Sequence, residues 1–314
     1  MHAWTLAVHG GAGNFTSEHI TKAEEREIRD AMQRALGAGG ALLQAGDSAL
    51  AAVEAAVEVL EDAPRFNAGR GSCYAANGKH EMEAAIMDGV TRRAGAATGL
   101  ETVRHPVSLA RAVMEDGRHV FLAGSGATAF AEAQGLQLED PSFFRTDRMA
   151  QNLAAWKAYE AKQAVEAVGD GFHWTSQKFG TVGAVARDTQ QRLAAATSTG
   201  GRTNKYPGRV GDTPTIGAGT YADEACAVSC TGNGEEFMRR VAAYDVSARM
   251  RYGDATLRES ADSVVFDVLP EGSGGLIAVD REGTVVMPFN CSGMIRGYCR
   301  ADGSFAVGLY GSEI

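Results

Sequence analysis

The stretch Gly180-Thr181-Val182-Gly183-Ala184-Val185-Ala186-Arg187-Asp188 decides how this chain is read. A β-prone run starts at a threonine preceded by a glycine. A second Thr/Gly-rich strand end, Thr197-Ser198-Thr199-Gly200-Gly201, follows at once. A threonine hydroxyl is a poor nucleophile without a base beside it. At a chain N-terminus its own α-amine takes the hydroxyl proton. Such an amine has a pKa of about 7.7–8, so much of it is free base near neutrality. To liberate it, the peptide bond before Thr181 must break. Gly180 suits that break, because a residue without Cβ accepts a strained backbone.

Outward from this point, 181–188 and 193–199 read as the two strands of a hairpin, 214–221 and 225–231 as a second strand pair, and 234–251 as one amphipathic helix. A further helix is expected at 256–268, and hairpins at 275–289 and 295–310. Toward the N-terminus, Thr5 to Val8 is a short strand running into His9-Gly10-Gly11-Ala12-Gly13. Residues 22–44 carry a helical stripe, and Asp47 or Ser48 caps a second helix ending near Pro64. The Gly-rich loop Arg65–Ser72 follows, then an expected hairpin at 73–88 turning at Asn77-Gly78. Helices are expected at 106–116, 125–135 and 148–165, with a short buried strand at 120–123. Residues 166–179 lack periodicity and read as a mobile linker into Thr181. Paired strands and paired helices, without strict βαβ alternation, predict layered α+β packing.

The whole-chain balance narrows the function. The chain has 314 residues, 45% hydrophobic and 22% charged, which is an ordinary globular composition. A net charge of −9 makes nucleic acid an unfavourable partner. No run approaches the roughly 18 apolar residues of a membrane span. The N-terminus carries no secretory pattern. The cysteines, Cys73, Cys226, Cys230, Cys291 and Cys299, are odd in number and form no CxxC pair, so they read as reduced core thiols of a cytoplasmic protein.

These residues bring a family into view. The chain resembles the plant-type L-asparaginases, also called isoaspartyl peptidases, of the N-terminal-nucleophile hydrolases. The resemblance spans nearly the whole chain. Its specific pieces are Phe66-Asn67-Ala68-Gly69, Gly180–Val185, Ala196–Gly201, Asn204-Lys205, Gly208–Asp212 and Ser229–Glu235, six motifs in order. It implies a four-layer αββα sandwich. It also implies a precursor that cleaves itself between Gly180 and Thr181 into an α part, 1–180, and a β part, 181–314. Two such αβ units pair as a dimer of heterodimers.

The resemblance also distributes roles. Thr181 is the nucleophile, and Thr199 on the adjacent strand orients its oxygen. Thr231 and the backbone N–H of Gly232 form the oxyanion hole, with Gly234 contacting ligand. Arg209 and Asp212 bind the α-carboxylate and α-ammonium of an asparagine or isoaspartyl unit. Asn67 holds water or substrate near Thr181. The carbonyls of Leu60, Glu61, Ala63, Phe66, Ala68 and Arg70 wrap a structural sodium ion, and catalysis itself needs no cofactor. Each residue also has a plainer reading: paired strand threonines, glycine turns, a surface ion pair of about 0–1 kcal/mol for Arg209–Asp212, and a turn asparagine. His9 is expected to be a structural hydrogen-bonding group, since an N-terminal threonine needs no separate base. Cys230 reads as core. Asn233, where a threonine is common in the family, and Arg70 are departures near the site. A glycosylasparaginase-like amidase, and a non-catalytic amino-acid-binding protein on the same scaffold, are the competing readings.

Overall fold

The computed structural model describes residues 3–165, 180–311 and 313–314. The expected linker at 166–179 lies outside them. The first half of the chain forms β1 (Thr5–Gly13), α1 (Lys22–Ala45), α2 (Ala49–Glu61), β2 (Met82–Asp88), β3 (Ala94–Leu100), α3 (Pro106–Asp116), β4 (Phe121–Ala123), α4 (Gly124–Ala133) and α5 (Asp147–Val165). The second half forms β5 (Val182–Arg187), β6 (Leu193–Thr199), β7 (Thr220–Ala222), β8 (Cys226–Gly232), α6 (Gly234–Arg240), α7 (Ala242–Gly253), α8 (Leu257–Ser263), β9 (Gly274–Asp280), β10 (Val285–Val286), β11 (Gly293–Arg300) and β12 (Phe305–Tyr310).

The strands make an eight-stranded sheet, ordered β12-β11-β1-β5-β6-β2-β3-β4, and a four-stranded sheet, ordered β10-β9-β8-β7. All pairings are antiparallel except β3 with β4. Side chains alternate between the faces of a strand, and both faces of the large sheet are covered. Leu6, Val8, Val182 and Ala184 share one cluster with Leu36 of α1 and Val53 and Val57 of α2. Ala7, Val185 and Ala195 face the other way, into a cluster with Val228, Leu276 and Val279 of the small sheet. Val246 of α7 and Ala261 of α8 close that second cluster. Burial on both faces explains why β5 reads as an almost continuous apolar run.

Several elements differ from the sequence expectation. The 234–251 periodicity holds two helices, because Val241 adopts the left-handed conformation (φ 51°). The new helix start donates Ala243 N–H to Ala218 O and Tyr244 N–H to Gly217 O, so a neighbouring loop caps it. Residues 214–219 form turns, with Ala218 N–H donating to Thr215 O, and only 220–222 join the strand. Asn77-Gly78 does turn the chain, bridging Tyr74 to His80, yet β2 pairs with β3 and β6. Helix 256–268 is α8 followed by a π-helical turn at Val264–Val268. Strand 120–123 sits at a sheet edge beside β3 alone, leaving Val120 54% and Phe121 43% exposed where burial was expected.

Candidate active site

The β5–β6 register sets Val182 opposite Ser198, which brings Thr181 beside Thr199. The Thr181 hydroxyl donates to Thr199 Oγ1 at 3.2 Å, and both residues are buried. Thr199 Oγ1 also accepts the Gly201 N–H at 3.0 Å, which fixes its side chain at the strand end. Thr231, at the end of β8, approaches from the second sheet. Its Oγ1 accepts Ala12 N–H at 3.1 Å, and a Cβ placed on Gly180 would lie 2.8 Å from it. Three threonine hydroxyls therefore surround the Gly180–Thr181 bond. Gly232 follows Thr231 directly and ends β8.

Gly11 packs behind that bond. A β-bulge between His9 and Gly11 breaks the β1–β11 register, and Gly11 has φ +114°. A Cβ there would come within 2.3 Å of Gly180 N. Only glycine permits this backbone to meet Gly180 so closely. His9 is fully buried. Its Nδ1 is 3.0 Å from the Thr181 carbonyl oxygen and its Nε2 is 2.8 Å from Ser229 Oγ. Burial pushes its pKa down to about 3, against the pull of the Thr181 carbonyl. The ring is therefore neutral across the working pH range.

Arg209 and Asp212 meet at Gly234. A Cβ on that glycine would lie 2.7 Å from Asp212 Oδ1 and 2.9 Å from Arg209 Nη2. Asp212 is buried, and its Oδ2 has no hydrogen-bond partner among the described residues. Burial raises its carboxyl to about 7, and the nearby Arg209 charge offsets part of that rise. An orphaned buried carboxylate oxygen beside a guanidinium is poised for a ligand that brings both charges. Arg209 itself is a fork on Glu235, with Nε–Oε1 at 3.1 Å and Nη2–Oε2 at 2.9 Å. Burial of Glu235 opposes ionisation, but Arg209 and Arg202 outweigh it and hold the carboxyl at about 2.

The sequence reading assigned no role to Glu235, Glu81, Glu83 or Lys205. Glu83 Oε2 accepts Gly211 N–H at 2.9 Å and Glu81 Oε2 accepts Gly208 N–H at 2.8 Å, tying the loop of Arg209 and Asp212 to β2. Lys205 Nζ is 3.4 Å from Glu83 Oε1, a pair buried on both sides. Two carboxylates before the Ala-rich run of β2 were the available signal, since such groups are seldom buried without partners.

Asn67 faces the backbone of neighbouring loops. Its Nδ2 donates to Gly201 O at 2.7 Å and its Oδ1 accepts Cys73 N–H at 2.8 Å, so it braces the turn after Thr199. Around it, Glu61 O accepts Arg70 N–H at 2.7 Å and Ala63 O accepts Phe66 N–H at 3.2 Å. The carbonyls of Phe66, Ala68 and Arg70 accept no hydrogen bond among the described residues, so this loop offers oxygens of the kind a hard cation takes. Cys230 is buried, and burial raises its thiol pKa well above the ordinary value, as befits core packing. None of the five cysteines forms a disulfide. Among the described residues no helix is long and apolar enough to cross a membrane.

The family model for asparaginase matches residues 2–309. The chain belongs to the asparaginase family. It is 47% identical to an isoaspartyl peptidase of Salmonella typhimurium over 99% of both chains. It is also 47% identical to an isoaspartyl peptidase of Escherichia coli, over 97% of this chain and 95% of the relative. A probable isoaspartyl peptidase/L-asparaginase of Arabidopsis thaliana is 42% identical over 99% of this chain and 100% of its own. The resemblance drawn from the six motifs is thus the family the chain belongs to.

Proposed function

We infer that this protein is a self-cleaving hydrolase of L-asparagine and β-aspartyl dipeptides with Thr181 as its nucleophile. The observation that carries the reading is the Thr181–Thr199 hydroxyl pair at 3.2 Å beside the Gly180–Thr181 bond, with Thr231 Oγ1 against Gly180. In the precursor, the Thr181 oxygen attacks the Gly180 carbonyl carbon. The C–N bond breaks as the amide nitrogen gains a proton, leaving an ester that water hydrolyses. The freed amine then serves as base for Thr181. It takes the hydroxyl proton as the oxygen attacks the substrate β-carbonyl, and passes that proton to the departing ammonia or amino acid. Thr231 Oγ1 and Gly232 N–H stabilise the oxygen that becomes negative, a contribution of about 10²–10³ in rate per donor. Water finally releases aspartate from the Thr181 ester.

Arg209 takes the substrate α-carboxylate by a two-pronged contact, and Asp212 takes the α-ammonium. The open carbonyls at Phe66, Ala68 and Arg70, with those of Leu60, Glu61 and Ala63, suit a structural sodium ion that would stiffen the loop carrying Asn67. The arrangement of helices α1 and α2, the two sheets, and α7 with α8 supports a four-layer αββα sandwich. We assign residues 1–180 and 181–314 as the α and β parts of one folded unit, paired as a dimer of heterodimers in the cytoplasm.

The test joins cleavage to turnover. Thr181→Ala is expected to remain one chain and to hydrolyse neither L-asparagine nor β-aspartyl-leucine, while wild type cleaves itself and hydrolyses both. Two bands from Thr181→Ala, or retained activity, would refute the assignment. Faster release from glycosylated asparagine than from both substrates would favour the glycosylasparaginase reading.

A further inference from the structure

Behind Thr181 runs a buried chain of polar groups that threads back and forth between the two sheets. His9 on β1 contacts Ser229 on β8 at 2.8 Å. Ser229 contacts Thr197 on β6 at 2.7 Å, and Thr197 contacts Thr220 on β7 at 2.7 Å. His9, Ser229, Thr197 and Thr220 are each fully buried.

Hydrogen counting fixes the direction of this chain. The Thr181 carbonyl can only accept, so His9 Nδ1 carries the ring hydrogen. The neutral ring then leaves Nε2 as an acceptor, and Ser229 must donate to it. Ser229 has one hydrogen, so Thr197 donates to Ser229 at 2.7 Å, with Gly219 O a longer second acceptor of the same hydrogen at 3.4 Å. Thr197 has likewise spent its hydrogen, so Thr220 donates to Thr197, sharing that hydrogen with Thr213 O at 3.0 Å. The sequence makes room for the arrangement. Gly183 lies opposite both His9 and Thr197 in the large sheet, and a Cβ there would fall 2.0 Å from Ser229 Oγ and 2.5 Å from His9 Nε2.

We propose that the His9–Ser229–Thr197–Thr220 chain is a positioning device for the processed enzyme, holding the Thr181 carbonyl, and with it the nucleophile, once the bond to Gly180 has gone. The inference rests on the reading of Thr181 as a self-liberated N-terminus. In the precursor, Thr181 is fixed from both sides, since Gly180 is wedged between Gly11 and Thr231. After cleavage one side is lost. What remains is β5 from Val182 onward, the Thr199 contact on the side chain, and the His9 contact on the carbonyl. A device of this kind matters more to turnover than to self-cleavage, and more to kcat than to KM.

The experiment compares Thr197→Val, which keeps the shape and removes the hydroxyl, with Thr197→Ser, which keeps the hydroxyl, and with Ser229→Ala. Self-cleavage time courses and steady-state kinetics on L-asparagine are measured for each. For Thr197→Val and Ser229→Ala the expected result is self-cleavage within about threefold of wild type, kcat down about tenfold or more, and KM unchanged. Thr197→Ser is expected to restore kcat to within about threefold of wild type. Undiminished kcat in Thr197→Val and Ser229→Ala overturns the proposal. So does equal loss in Thr197→Ser, or a loss of self-cleavage as large as that of kcat. Should these variants fail to fold, ¹⁵N-histidine NMR of wild type decides instead: the Nδ1–H tautomer at His9 is required, and the Nε2–H tautomer refutes the chain. Wild type that cleaves while Thr181→Ala does not, together with undiminished kcat in Thr197→Val, would sink this proposal alone and leave the nucleophile assignment standing.

Discussion

Asp212 is the residue whose chemistry reaches furthest into solution behaviour. Its carboxyl has an ordinary pKa near 3.8, and burial lifts it to about 7. In the proposed role of Asp212, the substrate ammonium needs the charged form. Below pH 7 the free enzyme carries the proton, and binding must expel it. KM for L-asparagine is therefore expected to rise as pH falls below 7, approaching about tenfold per pH unit. Because bound ammonium favours the carboxylate, kcat does not share this limb. Steady-state kinetics across that range check it, with Asp212→Asn as the control that flattens the KM profile. A KM independent of pH between about 6 and 8 would contradict the assigned role. At this scale the structure brings together residues that the sequence had grouped, Thr199 and Thr231 about Gly180–Thr181 and Arg209 with Asp212. Thr181, Thr199, Thr231, Arg209 and Asp212 announce themselves by residue type in short motifs. The His9–Ser229 bond does not, because it joins residues 220 positions apart. Nor does the Arg209–Glu235 fork, in which a loop arginine meets the first turn of α6.

At the scale of elements, β1 is the part most directly tied to the proposed self-cleavage, because its bulge sets Gly11 against Gly180. Gly11→Ala adds a Cβ where only 2.3 Å separates it from Gly180 N and where φ +114° disfavours any side chain. Gly180 must move. Misplacement of reacting atoms by about 1 Å can cost about 10²-fold in rate, so uncut precursor is expected to accumulate in this variant over times at which wild type is fully processed. A denaturing gel time course reads it, and processing at the wild-type rate would show that the close contact has no bearing on cleavage. The β5–β6 hairpin was readable because its apolar runs flank a short polar turn. The break at Val241 was not. Local periodicity continues across it, and the carbonyls of Gly217 and Ala218 that cap α7 come from another part of the chain. Nor does periodicity distinguish an edge strand from a central one, which is why Phe121 lies exposed.

For the whole molecule, the strand order has a direct consequence. In the large sheet β1 lies between β11 and β5, and β6 lies between β5 and β2. A cut before Thr181 places β1 and β2 in one fragment and β5, β6 and β11 in the other, so the fragments interdigitate within one sheet. They cannot part without breaking both hydrophobic clusters. The cut protein is expected to elute as one species under native conditions and to unfold in one cooperative transition, and separation of the fragments on native sizing would contradict the shared sheet. The packing of helices on sheet could be anticipated from paired strand and helix patterns, but not this interleaving, which depends on long-range pairings such as β1 with β11. Denaturing mass spectrometry of purified, fully active protein reads the cut before Thr181 directly. Two chains are expected, one of them beginning at Thr181. A single chain of 33.0 kDa with undiminished activity would contradict it.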